Sequence, residues 1–159
     1  MEANMTHKNA NVIARPPLIF LAFVVAGLMI NALSPMTIFH QTTAWIKYLG
    51  ILLVIDGLVL IVWAWCQFRM ADTPLDTSAS VKHIVTRGIY RLTRNPIYLG
   101  MIIVYLGVAL RMNNAWLLIG LIILLPTIYV GVILREERYL ENRFQDEYRD
   151  YRNRVRRWM

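Results

Sequence analysis

Two short stretches concentrate the groups able to do chemistry. The first, RLTRNPIYLG, runs from Arg91 to Gly100. Pro96 suits the first turn of a helix, where its missing N–H is one that no helical bond would use. Arg94 and Asn95 stand just ahead of it, at the end where free backbone donors point outward. Tyr98 and Gly100 come next, and a glycine there admits the close approach of another backbone or of a ligand. Such a helix mouth suits a ligand bearing a carboxylate. Its plainer reading is a helix cap with interfacial arginine and tyrosine anchors. The second stretch, REERYLENRF, runs from Arg135 to Phe144. Glu136 and Glu137 follow directly on an apolar run, and two adjacent carboxylates at a membrane boundary are costly unless water or a cation faces them. A solvated charged face is the plainer reading here. Donors and aromatics on one side and acceptors on the other suit a ligand carrying a carboxylate, an ammonium and hydroxyls.

The elements that must bring these stretches together are apolar. The 159 residues are 57% hydrophobic, well above an ordinary soluble domain, and the apolar residues lie in four runs. A single domain, 1–159, is expected, all-α and integral to a membrane, with four transmembrane helices in two hairpins. The spans fall at about 17–34, 44–66, 96–111 and 115–134, since a crossing needs about 20 apolar residues. A loop, 67–95, joins the hairpins, and a tail, 135–159, forms a C-terminal amphipathic helix with Leu140, Phe144, Tyr148, Tyr151, Val155 and Trp158 on one face. The bland expectation for that tail is a helix lying on the bilayer with its arginines toward anionic lipid. The turn RMNNA joins the third and fourth spans. Pro126 is expected to kink the fourth. Because helices three and four are antiparallel neighbours, their like ends bring Arg94–Gly100 close to Glu136 and Glu137.

Of the 17 basic residues, 15 fall on one side of this arrangement and only Lys47 and Arg111 on the other. The positive-inside rule then places both termini and the long loop in the cytoplasm, as in a bacterial-type inner membrane. The net charge of +7 is therefore a topology signal, and no nucleic-acid partner is expected. A cleaved signal peptide is the competing reading of the first run, but the polar stretch ahead of it is long and no A-x-A site comes after it. A single cysteine, Cys66, excludes an internal disulfide. His83 has no second His or Cys at ligand spacing, so no metal is expected. No G-x-G-x-x-G succeeds a strand pattern, which argues against a Rossmann-type site. Asp56, inside the second span, is costly in lipid and a candidate for function. Trp63, Trp65 and Trp158 read as interfacial anchors.

TRGIYRLTRNPIYLG followed by EERYLENRFQDEYRDYRNRV resembles the isoprenylcysteine carboxyl methyltransferase and phospholipid methyltransferase superfamily of small integral membrane enzymes. The first family motif, roughly G-x-Y-x-x-x-R-H-P-x-Y-x-G, is matched by Gly88, Tyr90, Arg94, Pro96, Tyr98 and Gly100. The second, roughly E-E-x-x-L-x-x-x-F-G-x-x-Y-x-x-Y, is matched by Glu136, Glu137, Leu140, Phe144, Tyr148 and Tyr151. The resemblance covers Ser80 to Val155, about half the chain.

That resemblance implies S-adenosyl-L-methionine as cofactor. Lys82, His83, Ile84 and Val85 are then expected to touch it from the surface segment, with Tyr90 lining the site. Asn95, Pro96, Ile97 and Tyr98 are expected around its amino-acid end, and Glu136 on the far side. Tyrosine faces suit its sulfonium. Arg94, Arg135 and Glu137 are the expected catalytic residues, with Tyr90 as a further helper. Three departures stand out. Asn95 replaces a histidine and cannot titrate. Gln145 replaces the glycine after Phe144. Val132 stands where the prenylcysteine enzymes place the arginine that holds the substrate carboxylate, and Arg135 is the nearest substitute. The function implied is methyl transfer to a small or lipophilic acceptor drawn from the bilayer, with membrane lipids as neighbours. A phospholipid N-methyltransferase is the alternative, and a non-catalytic transporter subunit or scaffold is the reading of another class.

Overall fold

The computed structural model describes residues 14–41, 43–71 and 83–158. Five helices and no strands occur among them: α1 (Pro16–Leu33), α2 (Ala44–Met70), α3 (Pro96–Met112), α4 (Ala115–Ile128) and α5 (Leu134–Arg154). A short 3-10 turn, Gly88–Arg91, precedes α3. Pro16 opens α1 and Pro96 opens α3, at positions where proline removes no helical bond. Three helices are long and apolar enough to cross a membrane: α1, α2, and the continuous helix that begins with α4. α3 is apolar but shorter, at 17 residues. Large side chains such as Leu21, Val59 and Ile122 lie 57%, 60% and 72% exposed on the outer faces. Exposure on that scale is unfavourable in water and natural where lipid is the solvent.

α2 packs most extensively on α3, and the contact is made by backbone. A Cβ placed on Gly57 would lie 2.6 Å from the Gly100 carbonyl oxygen, and one on Gly50 would lie 2.8 Å from the Gly107 oxygen. Glycines seven residues apart on each helix thus meet in antiparallel register, the small-residue mode of close approach used where lipid leaves no hydrophobic drive between helices. A second core joins Phe20 of α1, Tyr98 and Tyr105 of α3, and Leu117, Leu124 and Ile128 of α4.

The tight turn between α3 and α4 fastens the two hairpins to each other. Asn113 adopts the left-handed conformation at the C-cap of α3, φ 49°, which asparagine tolerates better than most residues. Its side chain accepts from the N–H groups of Ile38 and Phe39 and donates to the Phe39 carbonyl. Asn114 caps α4 by accepting from the N–H groups of Trp116 and Leu117. The Asn113 bonds clamp the connection between α1 and α2 onto the turn.

Beyond Pro126 the α4 helix widens into a π-helical stretch, Tyr129–Ile133, before continuing as α5. Such stretches relieve a disturbed hydrogen-bond ladder and re-aim the helix beyond them. α5 does not run straight. Gln145 breaks it with φ 44° and ψ −113°, a conformation that suits glycine and strains a residue with a Cβ. The chain turns there, and residues 155–158 return to the start of α3. The face carrying Tyr148 and Tyr151 is therefore buried against the protein, and Trp158 packs against the α1–α3–α4 core. This corrects the expectation that the tail lies along lipid. Replacing Gln145 by glycine removes the strain, so Gln145→Gly is expected to stabilise the protein by about 1 kcal/mol, read as a raised midpoint of thermal unfolding in detergent.

Candidate functional site

At the charged end of the bundle a cavity of about 670 Å³ opens between the start of α1, the end of α2, the 83–98 segment and the first turns of α5. One side is apolar, made by Leu18, Ile61, Trp65, Phe68 and Met101. The other is polar and carries both motifs. The α2–α3 glycine crossing sets the separation of the two sides, because it fixes how deeply the N-terminus of α3 sits against α2.

Pro96 and the uncapped start of α3 shape the polar side. No side chain caps this helix, and Asn95 N–H instead donates to Thr93 Oγ1, 3.3 Å away. The backbone N–H groups of Ile97 and Tyr98 thus belong to the first helical turn without an intrahelical acceptor, and both residues line the cavity. Together they form an anion-seeking end of the kind helix N-termini provide.

The two glutamates have separate environments. Glu137 lies between two arginines. Arg94 Nη1 stands 2.9 Å from its Oε1, and Arg157 reaches both oxygens, Nε to Oε1 at 2.9 Å and Nη2 to Oε2 at 2.7 Å. The Arg94 and Glu137 side chains are 9% and 11% exposed, so the pair is sheltered and geometrically well formed. Glu136 meets no cation among the described residues. Its Oε1 accepts from the Tyr98 hydroxyl at 2.7 Å, and its remaining surface faces the cavity. Desolvation by the surrounding apolar walls raises its carboxyl to about 7; the Tyr98 hydrogen bond opposes this and the charge of Glu137 adds to it. A carboxylate without a cation in such a recess favours a cationic ligand. Burial, reinforced by Tyr151 and Glu136, pushes the Tyr90 phenol well above its ordinary value. Tyr90 is thus a protonated hydrogen-bonding wall near neutral pH and a poor base.

Of the residues singled out from the sequence, His83, Ile84, Val85, Tyr90, Arg94, Asn95, Pro96, Ile97, Tyr98, Glu136 and Glu137 all line this one cavity. Lys82 lies outside the described residues. Arg135 is exposed and stands apart from the lining. Asp56 is exposed on α2 and likewise stands apart. Sequence reasoning missed the α2 wall. Ile61, Trp65 and Phe68 recur at spacings of four and three, one helical face, but a helix apolar all round hides which face is inward. It also missed Arg157, for which no local signal exists.

The pattern described as phospholipid methyltransferase matches residues 45–147, a span containing the first motif, the second as far as Phe144, and most of the cavity wall. The chain belongs to the phospholipid methyltransferase family. Among relatives, it is 42% identical over 62 residues to an uncharacterized protein of Haemophilus influenzae, covering 39% of this chain and 98% of that one. It is 28% identical over 113 residues to protein-S-isoprenylcysteine O-methyltransferase B of Arabidopsis thaliana, covering 70% of this chain and 57% of the length of the plant protein. No solved structure matches. Membership of this family fits the geometry: a methyltransferase embedded among apolar helices needs one polar and one apolar side to its cavity, and both are present.

Proposed function

We propose that the protein transfers a methyl group from S-adenosyl-L-methionine to a lipophilic acceptor that reaches the cavity from the bilayer. One observation carries this reading: a single cavity joins an uncapped helix N-terminus to a carboxylate that meets no cation among the described residues, with an apolar wall opposite. The N–H groups of Ile97 and Tyr98 suit the carboxylate of an amino acid. Glu136 suits its ammonium or the ribose hydroxyls, and Tyr90 with Ile84 and Val85 suits a flat base. Bound there, the cofactor supplies an electrophilic methyl group on a sulfonium. The protein's part is to bind, orient and exclude water; oriented pairs can reach effective molarities on the order of 10⁵ M or more.

The same reading counts α3 as a fourth span, crossing by virtue of its uniformly apolar sequence and the long stem of Arg111 at its end. It places both termini in the cytoplasm of a bacterial-type inner membrane, on the basic-residue asymmetry. In this arrangement the cavity opens toward the cytoplasmic pool of cofactor.

A phospholipid amine as acceptor is the second reading, and the match to the phospholipid methyltransferase pattern over residues 45–147 favours it. An ammonium acceptor must lose a proton before it attacks.

Binding comes first among the tests. Calorimetry in detergent and in nanodiscs is expected to show one site for S-adenosylmethionine and for its demethylated product, S-adenosylhomocysteine. Absence of heat in both media, with the protein shown to be folded, would defeat the reading.

A further inference from the structure

The second half of α5 and the segment beyond it form a strap across the polar side of the cavity. After the turn at Gln145, Tyr151 donates its hydroxyl to the Tyr90 carbonyl at 2.8 Å. The chain then extends along Thr93–Asn95. The Arg94 N–H donates to the Arg156 carbonyl at 3.0 Å. The Arg157 carbonyl accepts from Thr93 Oγ1 at 2.9 Å and from Asn95 Nδ2 at 3.3 Å. These three bonds join the strap to the residues that lead into α3, a helix with no side-chain cap of its own. The strap is anchored by the Arg157 side chain. Its fork grips Glu137, its Nη1 donates to the Tyr129 hydroxyl at 2.8 Å, and its guanidinium lies 5.0 Å from the centre of the Tyr129 ring.

We propose that Arg157 is a positioning residue for the methyl-donor half of the cavity. The proposal rests on the methyltransferase reading above. Arg157 acts through two routes. It supplies the second cation on Glu137, so that Arg94 and Glu137 keep their places in the cavity wall. It also seats the strap whose carbonyl holds Asn95 Nδ2. With Nδ2 held, the side-chain amide of Asn95, a residue of the cavity lining, is fixed in one orientation. Lysine at 157 would keep the charge and lose the planar fork that grips both oxygens.

The experiment compares Arg157→Gln, Arg157→Lys and, as a control, Arg152→Gln. Arg152 is exposed and bonds Glu141, away from the cavity. Arg157→Gln is expected to weaken S-adenosylhomocysteine binding by about tenfold or more, since it removes charged hydrogen bonds. It should raise KM for the methyl donor in the same proportion while changing kcat and the acceptor KM by less than about twofold, the signature of lost binding without lost transition-state contact. Amide hydrogen exchange in the peptide spanning Thr93–Asn95 should accelerate, because the Arg94 N–H loses its acceptor. Arg157→Lys should fall between Arg157→Gln and wild type, and Arg152→Gln should match wild type. If Arg157→Gln does not fold, Arg157→Lys carries the same comparison. Unchanged exchange at Thr93–Asn95, or unchanged product affinity in a folded Arg157 variant, would overturn the proposal. Failure of the wild type to bind S-adenosylhomocysteine would instead defeat the methyltransferase reading, and the exchange measurement, which needs no ligand, still decides whether the strap depends on Arg157.

Discussion

Glu136→Gln should weaken binding of S-adenosylmethionine about ten- to a hundredfold, and Glu141→Gln should leave it unchanged. The two glutamates lie five residues apart on one helix, yet their surroundings differ. Glu141 is paired with Arg149 and Arg152 on an exposed face, where such pairs contribute little. Glu136 faces the cavity with one neutral donor, Tyr98, and no cation among the described residues. Losing a charged hydrogen-bond partner there costs about 1.5–3 kcal/mol. A pH dependence belongs to the same residue. Because desolvation raises this carboxyl to about 7, a cationic ligand, which selects the ionised form, competes with its protonation. Affinity should therefore rise with pH through about 7 and fall as the pH drops below it, by at most about tenfold per pH unit. Glu136→Gln, which has no proton to lose, should flatten that profile. Titration calorimetry of both variants at several pH values reads both effects. Equal losses in Glu136→Gln and Glu141→Gln would show that the glutamate pair is only a charged surface.

The separation of Glu136 from Glu137 explains what the sequence can and cannot disclose about this site. Both motifs are local, and the residues that place them have plain physical uses: Pro96 at a helix start, Asn113 and Asn114 at the turn between α3 and α4, Glu136 one residue past an apolar run. Antiparallel helices then bring the motifs together by topology alone, and the cavity they line is the result. Which glutamate is left without a cation is another matter. It depends on the rotation imposed by the π-helical stretch at Tyr129–Ile133 and on Arg157, twenty residues downstream, folding back to claim Glu137. That return depends in turn on a single residue, Gln145, adopting a positive φ. The departure from glycine at this position is visible in the sequence as an oddity. Its meaning, a reversal of the chain that converts an expected surface helix into a strap, needs the tertiary contacts of Tyr148, Tyr151 and Trp158. The glycine crossing of α2 and α3 is a middle case. Gly50, Gly57, Gly100 and Gly107 are each visible, but only their pairing in register gives them a role.

The acceptor is where Val132 decides most. A farnesylcysteine analogue should be a poor substrate, and a phosphatidylethanolamine or a small lipophilic thiol or phenol a better one. Val132 is fully buried within the π-helical stretch and offers no donor. A carboxylate placed against it would lose its hydration without gaining a charge-assisted partner. The nearest arginine in sequence, Arg135, is exposed and outside the cavity lining, so it would have to turn back by most of a helical turn to serve. The guanidinium that does line the cavity, Arg94, is already paired with Glu137. The experiment is a competition among these acceptors with isotopically labelled methyl donor, in wild type and Arg135→Ala. Turnover of a non-carboxylate acceptor that survives Arg135→Ala is the expected result. Efficient methylation of the farnesylcysteine analogue, abolished by Arg135→Ala, would mean that Arg135 reaches the cavity during turnover and would return the protein to carboxylate chemistry. In that second case the discrimination should be large, because a site built to pair a charged group rejects a ligand lacking it by orders of magnitude, about 10⁴ or more where polar groups are left unpaired.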